Sequence, residues 1–170
     1  GMTGALLPIA GQNFGAQKYD RVREALKYCW AAGFVMTAVA TPILLFGGSF
    51  AMALFSTDPD VIRAGSSYLR VDAFLFPIYM MLFSINSLLQ AFKQAIWTLW
   101  ISIYRQGFAV AFFIWVFISF TDFGVQGVWF GIATAVTSGW VLSLIIVRNV
   151  ARKQIGGLLP TALASPPQNV

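Results

Sequence analysis

Hydrophobic and polar positions alternate along this chain on the scale of whole helices. Charged residues are absent from Tyr28 to Thr57, Ala73 to Phe92, Gln106 to Thr121 and Phe123 to Val147. A helix crossing the hydrocarbon of a bilayer needs roughly 20 apolar residues, so these gaps, with their flanks, predict four spans near residues 27–54, 66–92, 97–120 and 125–148. The apolar stretch Met2 to Ala10 is too short to cross and reads as the end of a fifth helix. The expected fold is an all-α integral membrane bundle, four full transmembrane helices plus that stub, over residues 1–153. Residues 154–170, with Gly156-Gly157, Pro160 and Pro166-Pro167, read as a disordered cytoplasmic tail.

The details within each span shape further expectations. The thirty uncharged residues from Tyr28 to Thr57 would make a helix of about 45 Å, longer than a bilayer core, so a break is expected near Gly47-Gly48. Asp58-Pro59-Asp60 starts the next helix, a capping residue followed by proline and an acid in the first turn; Val61 to Arg70 is expected at the interface. In the second span Asp72, Tyr79, Asn86 and Lys93 recur every seven residues, with Gln90 one turn beyond Asn86. Seven-residue spacing drifts only about 20° per step, so this is a polar stripe inside a span, and Pro77 could open space beside it. Arg105 lies a turn or two inside the third span, where an arginine can snorkel to the headgroups. In the last span Gly127, Gly131, Ala135 and Gly139 put small side chains on one face, suited to close helix packing.

Composition agrees with a membrane protein: 58% of the residues are hydrophobic, 16% aromatic and 10% charged. The net charge of +5 does not point to nucleic acid, because the basic residues flank the apolar runs. Nine of them (Lys18, Arg21, Arg23, Lys27, Lys93, Arg105, Arg148, Arg152, Lys153) fall on one side and two, Arg63 and Arg70, on the other. By the positive-inside rule the nine mark the cytoplasm. Histidine is absent and Cys29 is the single cysteine, which leaves no His/Cys metal site, no disulfide and no Cys-His catalytic pair. No nucleophile-base pair is visible either, so an enzyme is not expected.

Between the stub and the first span runs Gly11-Gln12-Asn13-Phe14-Gly15-Ala16, followed by Asp20-Arg21. Two glycines four apart suit a helix exit, and Asp20 is placed to cap the next helix. This stretch resembles the MATE family (multidrug and toxic compound extrusion transporters), whose two homologous bundles each carry a Gly-Gln-Asn-x-Gly-Ala…Asp-Arg loop. The resemblance continues in order through Leu54-Phe55-Ser56-Thr57-Asp58-Pro59, Tyr68-Leu69-Arg70, Asn86-Ser87-Leu88-Leu89-Gln90-Ala91, Arg105-Gln106 and Gly124-Val125-Gln126-Gly127-Val128-Trp129. It departs at Phe92-Lys93-Gln94, where relatives have glycine and a basic residue, and in the lack of a proline from Phe108 to Trp115.

The resemblance implies part of the C-terminal bundle of a multi-pass transporter of the plasma (inner) membrane. It implies efflux of small organic substrates in exchange for H⁺ or Na⁺, no other cofactor, and alternating access against an N-terminal bundle that this chain lacks; the chain reads as a piece of something longer. Tyr79, Asn86 and Gln90 become candidates for the substrate cavity, against a blander role for Asn86 as interhelical glue. Phe74, Phe76, Phe83 and Trp97 could offer π-faces to an organic cation, though in a chain with 16 Phe and 6 Trp lipid-facing or packing roles explain them better. Asp72 is the nearest candidate for an ion-coupling acid, though its register puts it at the outer rim, where a helix N-terminal role or an ion pair with Arg70 or Arg63 is the alternative and the coupling acids are expected on the missing helices. Gly11, Gln12, Asn13, Gly15, Ala16, Asp20 and Arg21 form the loop motif on the cytoplasmic rim. Two other functions stay open: a flippase of a related branch acting on lipid-linked sugars, and a self-standing four-helix scaffold or subunit.

Overall fold

A computed structural model describes residues 2–121 and 123–158. All its described secondary structure is helical: α1 (Met2–Gly15), α2 (Tyr19–Ala53), α3 (Pro59–Ala91), α4 (Ala95–Ser102), a π-helical segment (Ile103–Ala109), α5 (Val110–Phe120) and α6 (Val125–Ile155). Four stretches are long and apolar enough to cross a membrane, with α4, the π segment and α5 forming one of them, Ala95–Phe120. Four spans and a short leading helix match the sequence pattern. Of the tail expected at residues 154–170, Gln154 and Ile155 belong to α6, and 159–170 lie outside the described residues.

Three boundaries differ from expectation, each for a local reason. The first span does not break at Gly47-Gly48: α2 runs on to Ala53, and Gly48 is buried, with Leu69 of α3 within 3.6 Å of where its Cβ would be. That glycine serves close packing. Val61 to Arg70 is continuous with the second span in α3. Asp58 is the N-cap of α3 and accepts a hydrogen bond from the Asp60 N–H at 2.8 Å, with Pro59 at the first helical position, so the helix starts there and continues unbroken for 33 residues. At about 50 Å it exceeds a hydrocarbon core of ~30 Å, and tilt or projection takes up the excess. Asp72 therefore sits well inside the helix, away from its end. The third difference is the π segment, one extra residue per turn where an uninterrupted α-helix was expected.

Pro77 lies inside the continuous α3. Its ring nitrogen cannot donate to the Ala73 carbonyl four residues back, and the Thr41 hydroxyl of α2 donates to that carbonyl instead, at 3.1 Å. A span in lipid has no water to satisfy a freed backbone group, and this bond satisfies the one that Pro77 frees. Thr41→Val keeps the shape and removes the donor. It is expected to cost about 1–3 kcal/mol, read as a lower melting temperature in detergent, whereas Thr41→Ser should hold the wild-type value more closely. Equal melting of Thr41→Val and wild type would refute this role.

The main core gathers at the elbow end of the bundle. Leu6 and Ala10 of α1, Val22 and Leu26 of α2, Ile85, Leu88 and Leu89 of α3, and Val147 and Ala151 of α6 are buried together with Phe92 and Ile101. A smaller cluster of Leu75, Leu82 and Val136, with Tyr79 and Trp140 packed on it, joins α3 to α6. α5 buries none of its residues, and Phe112, Trp115, Ile118 and Phe120 are exposed, as suits a helix facing lipid. What holds it is the small-residue row: Gly127, Gly131, Ala135 and Gly139 are buried on α6, and the first two lie against Phe117 and Ile114. Between helices in lipid such van der Waals contact replaces the hydrophobic effect as the main attraction.

Candidate functional site

Several polar groups of the spans lie along the seam where α3 packs on α6, and the π segment packs on α6 as well. Near the Pro59 end Tyr68 packs on Trp129 of α6, ring centroids 4.9 Å apart. Asp72, one turn on, is half-buried and makes no salt bridge among the described residues. Tyr79 follows Asp72 by seven residues on α3 and so shares its helix face, with its hydroxyl close enough to interact with the carboxylate. The expected partners of Asp72 do not pair with it: Arg63 reaches Asp60 instead, at 3.6 Å, with both side chains over 80% exposed.

Arg105 is placed by two features. The π segment sets its backbone, and its stem lies over Gly139 of α6: a Cβ at Gly139 would come within 3.0 Å of Arg105 Cγ and Cδ. The glycine gives the arginine stem a place to lie against α6. Beside it the Tyr104 hydroxyl and the Ser138 hydroxyl are 3.4 Å apart. π segments inside helices are frequent at functional positions. Tyr68, Asp72 and Tyr79 put a carboxylate and two phenols on one face of α3, and Arg105 adds a cation on the π segment, in a setting where an ionisable group is costly and its presence needs a reason.

The remaining residues of the stripe part company. Asn86 is half-buried with its Oδ1 sealed from solvent and without a hydrogen-bond partner among the described residues. Gln90 is exposed. Lys93 has left the helix and adopts φ +59° in the turn to α4. Of the exposed rings, Phe74, Phe83 and Trp97 are 68%, 50% and 41% accessible, and Phe76 is half-buried.

At the elbow the chain turns differently from the expectation. α1 continues through Gly11 to Gly15, and neither glycine has another group within 4 Å of a built Cβ. The left-handed residue is Gln17, φ +57°. Gln12 and Asn13 supply carbonyls to the turn, accepting from Ala16 at 3.0 Å and Lys18 at 2.8 Å, while the Asn13 side chain bonds the Ile9 carbonyl at 2.8 Å. Asp20 is not the cap. Lys18 holds the N-cap position without a side-chain bond, and Asp20, already in the first turn, pairs with Arg23 at 2.6 Å. Arg21 is exposed.

Arg23 ties the elbow to the far end of the chain. Its guanidinium donates to the Gly157 carbonyl at 2.9 Å and to the Ile155 carbonyl, the two groups left open where α6 ends at Gly156, φ +74°. A cation on the negative end of a helix is favourable. The model of the MatE family matches residues 1–116, which include the elbow, Asp72, Tyr79 and Arg105. The chain belongs to the MatE family.

As a MatE chain it is 30% identical over 154 residues to Protein DETOXIFICATION 28 of Arabidopsis thaliana, covering 86% of this chain and 29% of that protein. Two solved structures of a multidrug resistance MATE family transporter of the MOP superfamily share the fold. The inward-facing one superposes with a TM-score of 0.76 at 16% identity over 88% of this chain and 36% of its own. The outward-facing one gives 0.76 at 17% identity, over 88% and 35%. The chain thus spans about a third of the length of these relatives. Sequence reasoning missed Tyr68, Thr41 and Arg23 as functional or structural partners; Tyr68 four residues before Asp72 and Arg23 three after Asp20 were the available signals. The MatE chain is a multi-pass membrane protein, and the seam lies within its spans.

Proposed function

We propose that this chain forms part of the C-terminal bundle of a multidrug efflux antiporter that exports small organic substrates, organic cations among them, in exchange for H⁺ or Na⁺. The observation that carries the reading is the seam: a half-buried carboxylate inside a span, Asp72, with no salt bridge among the described residues and a tyrosine hydroxyl against it. A carboxylate so placed can take up a proton or a sodium ion from one side and release it to the other when the bundle changes its exposure. Arg105 and the two tyrosines then set how firmly the cation is held. Family membership adds support, as does the equal superposition on inward- and outward-facing structures, since a bundle that rocks as a body keeps its internal packing through the cycle.

In this reading Tyr79 and Asn86 lie on the path of the substrate, Gln90 at its exposed end, and the partner is an N-terminal bundle. The membrane is the plasma (inner) membrane, with the elbow and the C-terminus in the cytoplasm. The functional test is efflux of a fluorescent organic cation from cells expressing the gene that encodes this chain. Efflux should stop when the proton and sodium gradients are both collapsed. Efflux indifferent to both gradients would rule out antiport. Sidedness is checked separately with Gln17→Cys in a Cys29→Ser background: an impermeant maleimide should label it only after lysis, and labelling of intact cells would invert the topology.

A further inference from the structure

The end of the bundle opposite the elbow carries a second polar feature that transport does not use. Arg63, Ser66, Ser67 and Arg70 are spaced three, four and seven residues apart on α3, which puts them on one helix face. With Ser49 of α2 and Gln126 in the first turn of α6 they line a pocket of about 610 Å³. All these side chains can donate hydrogen bonds, and among the described residues no carboxylate lines the pocket. Arg63 gives only a long 3.6 Å contact to the exposed Asp60, and Arg70 makes no salt bridge among the described residues. Ser66 is spent on the Arg63 carbonyl at 3.1 Å.

The chemistry such a lining takes is an oxyanion with several acceptor oxygens, and guanidinium groups match phosphate in geometry as well as charge. The neighbourhood narrows the source. Ser49 sits on α2 between Phe46 and Phe50, which are 89% and 73% exposed, on a helix apolar enough to span. Hydrocarbon tails cover such a surface. The pocket therefore opens beside the tails at the end of a helix longer than the hydrocarbon is thick, which is headgroup depth. We propose that it binds the phosphodiester of a phospholipid headgroup, with Arg63 and Arg70 on the phosphate oxygens, Ser67 and Ser49 donating beside them, and one acyl chain along Phe46 and Phe50.

Native mass spectrometry of the delipidated chain tests this, with dioleoyl phosphatidylglycerol and dioleoylglycerol as probes. The phospholipid should bind and the diacylglycerol, with the same tails and no phosphate, should not. Arg63→Gln/Arg70→Gln should weaken phospholipid binding at least tenfold, and Arg63→Lys/Arg70→Lys should restore part of it. Both arginines are exposed, so melting of the glutamine variant should match wild type. Should it not, Ser67→Glu, which sets a carboxylate among the arginines, must abolish binding in a folded protein. Equal phospholipid binding by wild type and these variants would overturn the proposal. So would binding of inorganic phosphate with no preference for the lipid, which would assign the pocket to a free anion.

Discussion

Replacing Gly131 by alanine is expected to lower the melting temperature of the chain in detergent by several degrees, and replacing it by leucine to part α5 from α6 altogether. A Cβ at Gly131 would fall 2.8 Å from the Ile114 Cα and backbone nitrogen. Backbone atoms cannot rotate aside, so the two helices must move apart. Overpacking of this kind costs about 1–3 kcal/mol for one added group, more than the gain of up to ~1 kcal/mol from exchanging a helical glycine for alanine. Gly127 is the internal control. Its Cβ would meet Phe117 at 3.6 Å, an ordinary contact, so Gly127→Ala should melt at or slightly above the wild-type temperature. Because α5 has no buried side chain of its own, little else compensates. If Gly131→Ala and Gly127→Ala melt alike, the close approach at Ile114 does not hold the two helices.

That row of small residues was legible in the sequence, and so were the spans, because both rest on properties each residue carries by itself. Charge is excluded from lipid wherever it occurs in the chain, and a side chain's size is known without its neighbours. The start of α3 was legible for the same reason, since Asp58 and Pro59 act on their own helix turn. The polar seam was only half legible. Asp72 and Tyr79 share a face by helical spacing, whereas Arg105 joins them through a π segment that leaves no periodic signature. Thr41 is bound to the Ala73 carbonyl only because α2 and α3 cross where Pro77 has freed it. Arg23 similarly answers an unpaired helix end 132 residues away. Gln17 and Lys93 take left-handed conformations where glycine would be the default, so at the elbow Gly11 and Gly15 pointed to the wrong turn residue. Pairings between distant elements decide these cases.

Asp72→Asn is expected to abolish gradient-driven efflux while leaving the fold intact. The substitution keeps the shape of the side chain and an oxygen facing Tyr79, so the packing of α3 on α6 should survive and the melting temperature should stay close to wild type. It removes the one property the proposed mechanism needs, the ability to carry a negative charge that a proton or Na⁺ can neutralise. A transporter that cannot exchange the coupling ion at this site loses the driving force on the substrate, and efflux should fall to the level of cells lacking the gene. Tyr79→Phe should be milder. It leaves the carboxylate and deletes a single hydrogen-bonding group, worth about 1.5–3 kcal/mol when the partner is charged, so efflux should persist with a changed dependence on external Na⁺ or pH. The informative result is the contrast between the two. Normal coupled efflux by a stably folded Asp72→Asn protein would place the coupling acid elsewhere and reduce the seam to a structural contact between α3, the π segment and α6.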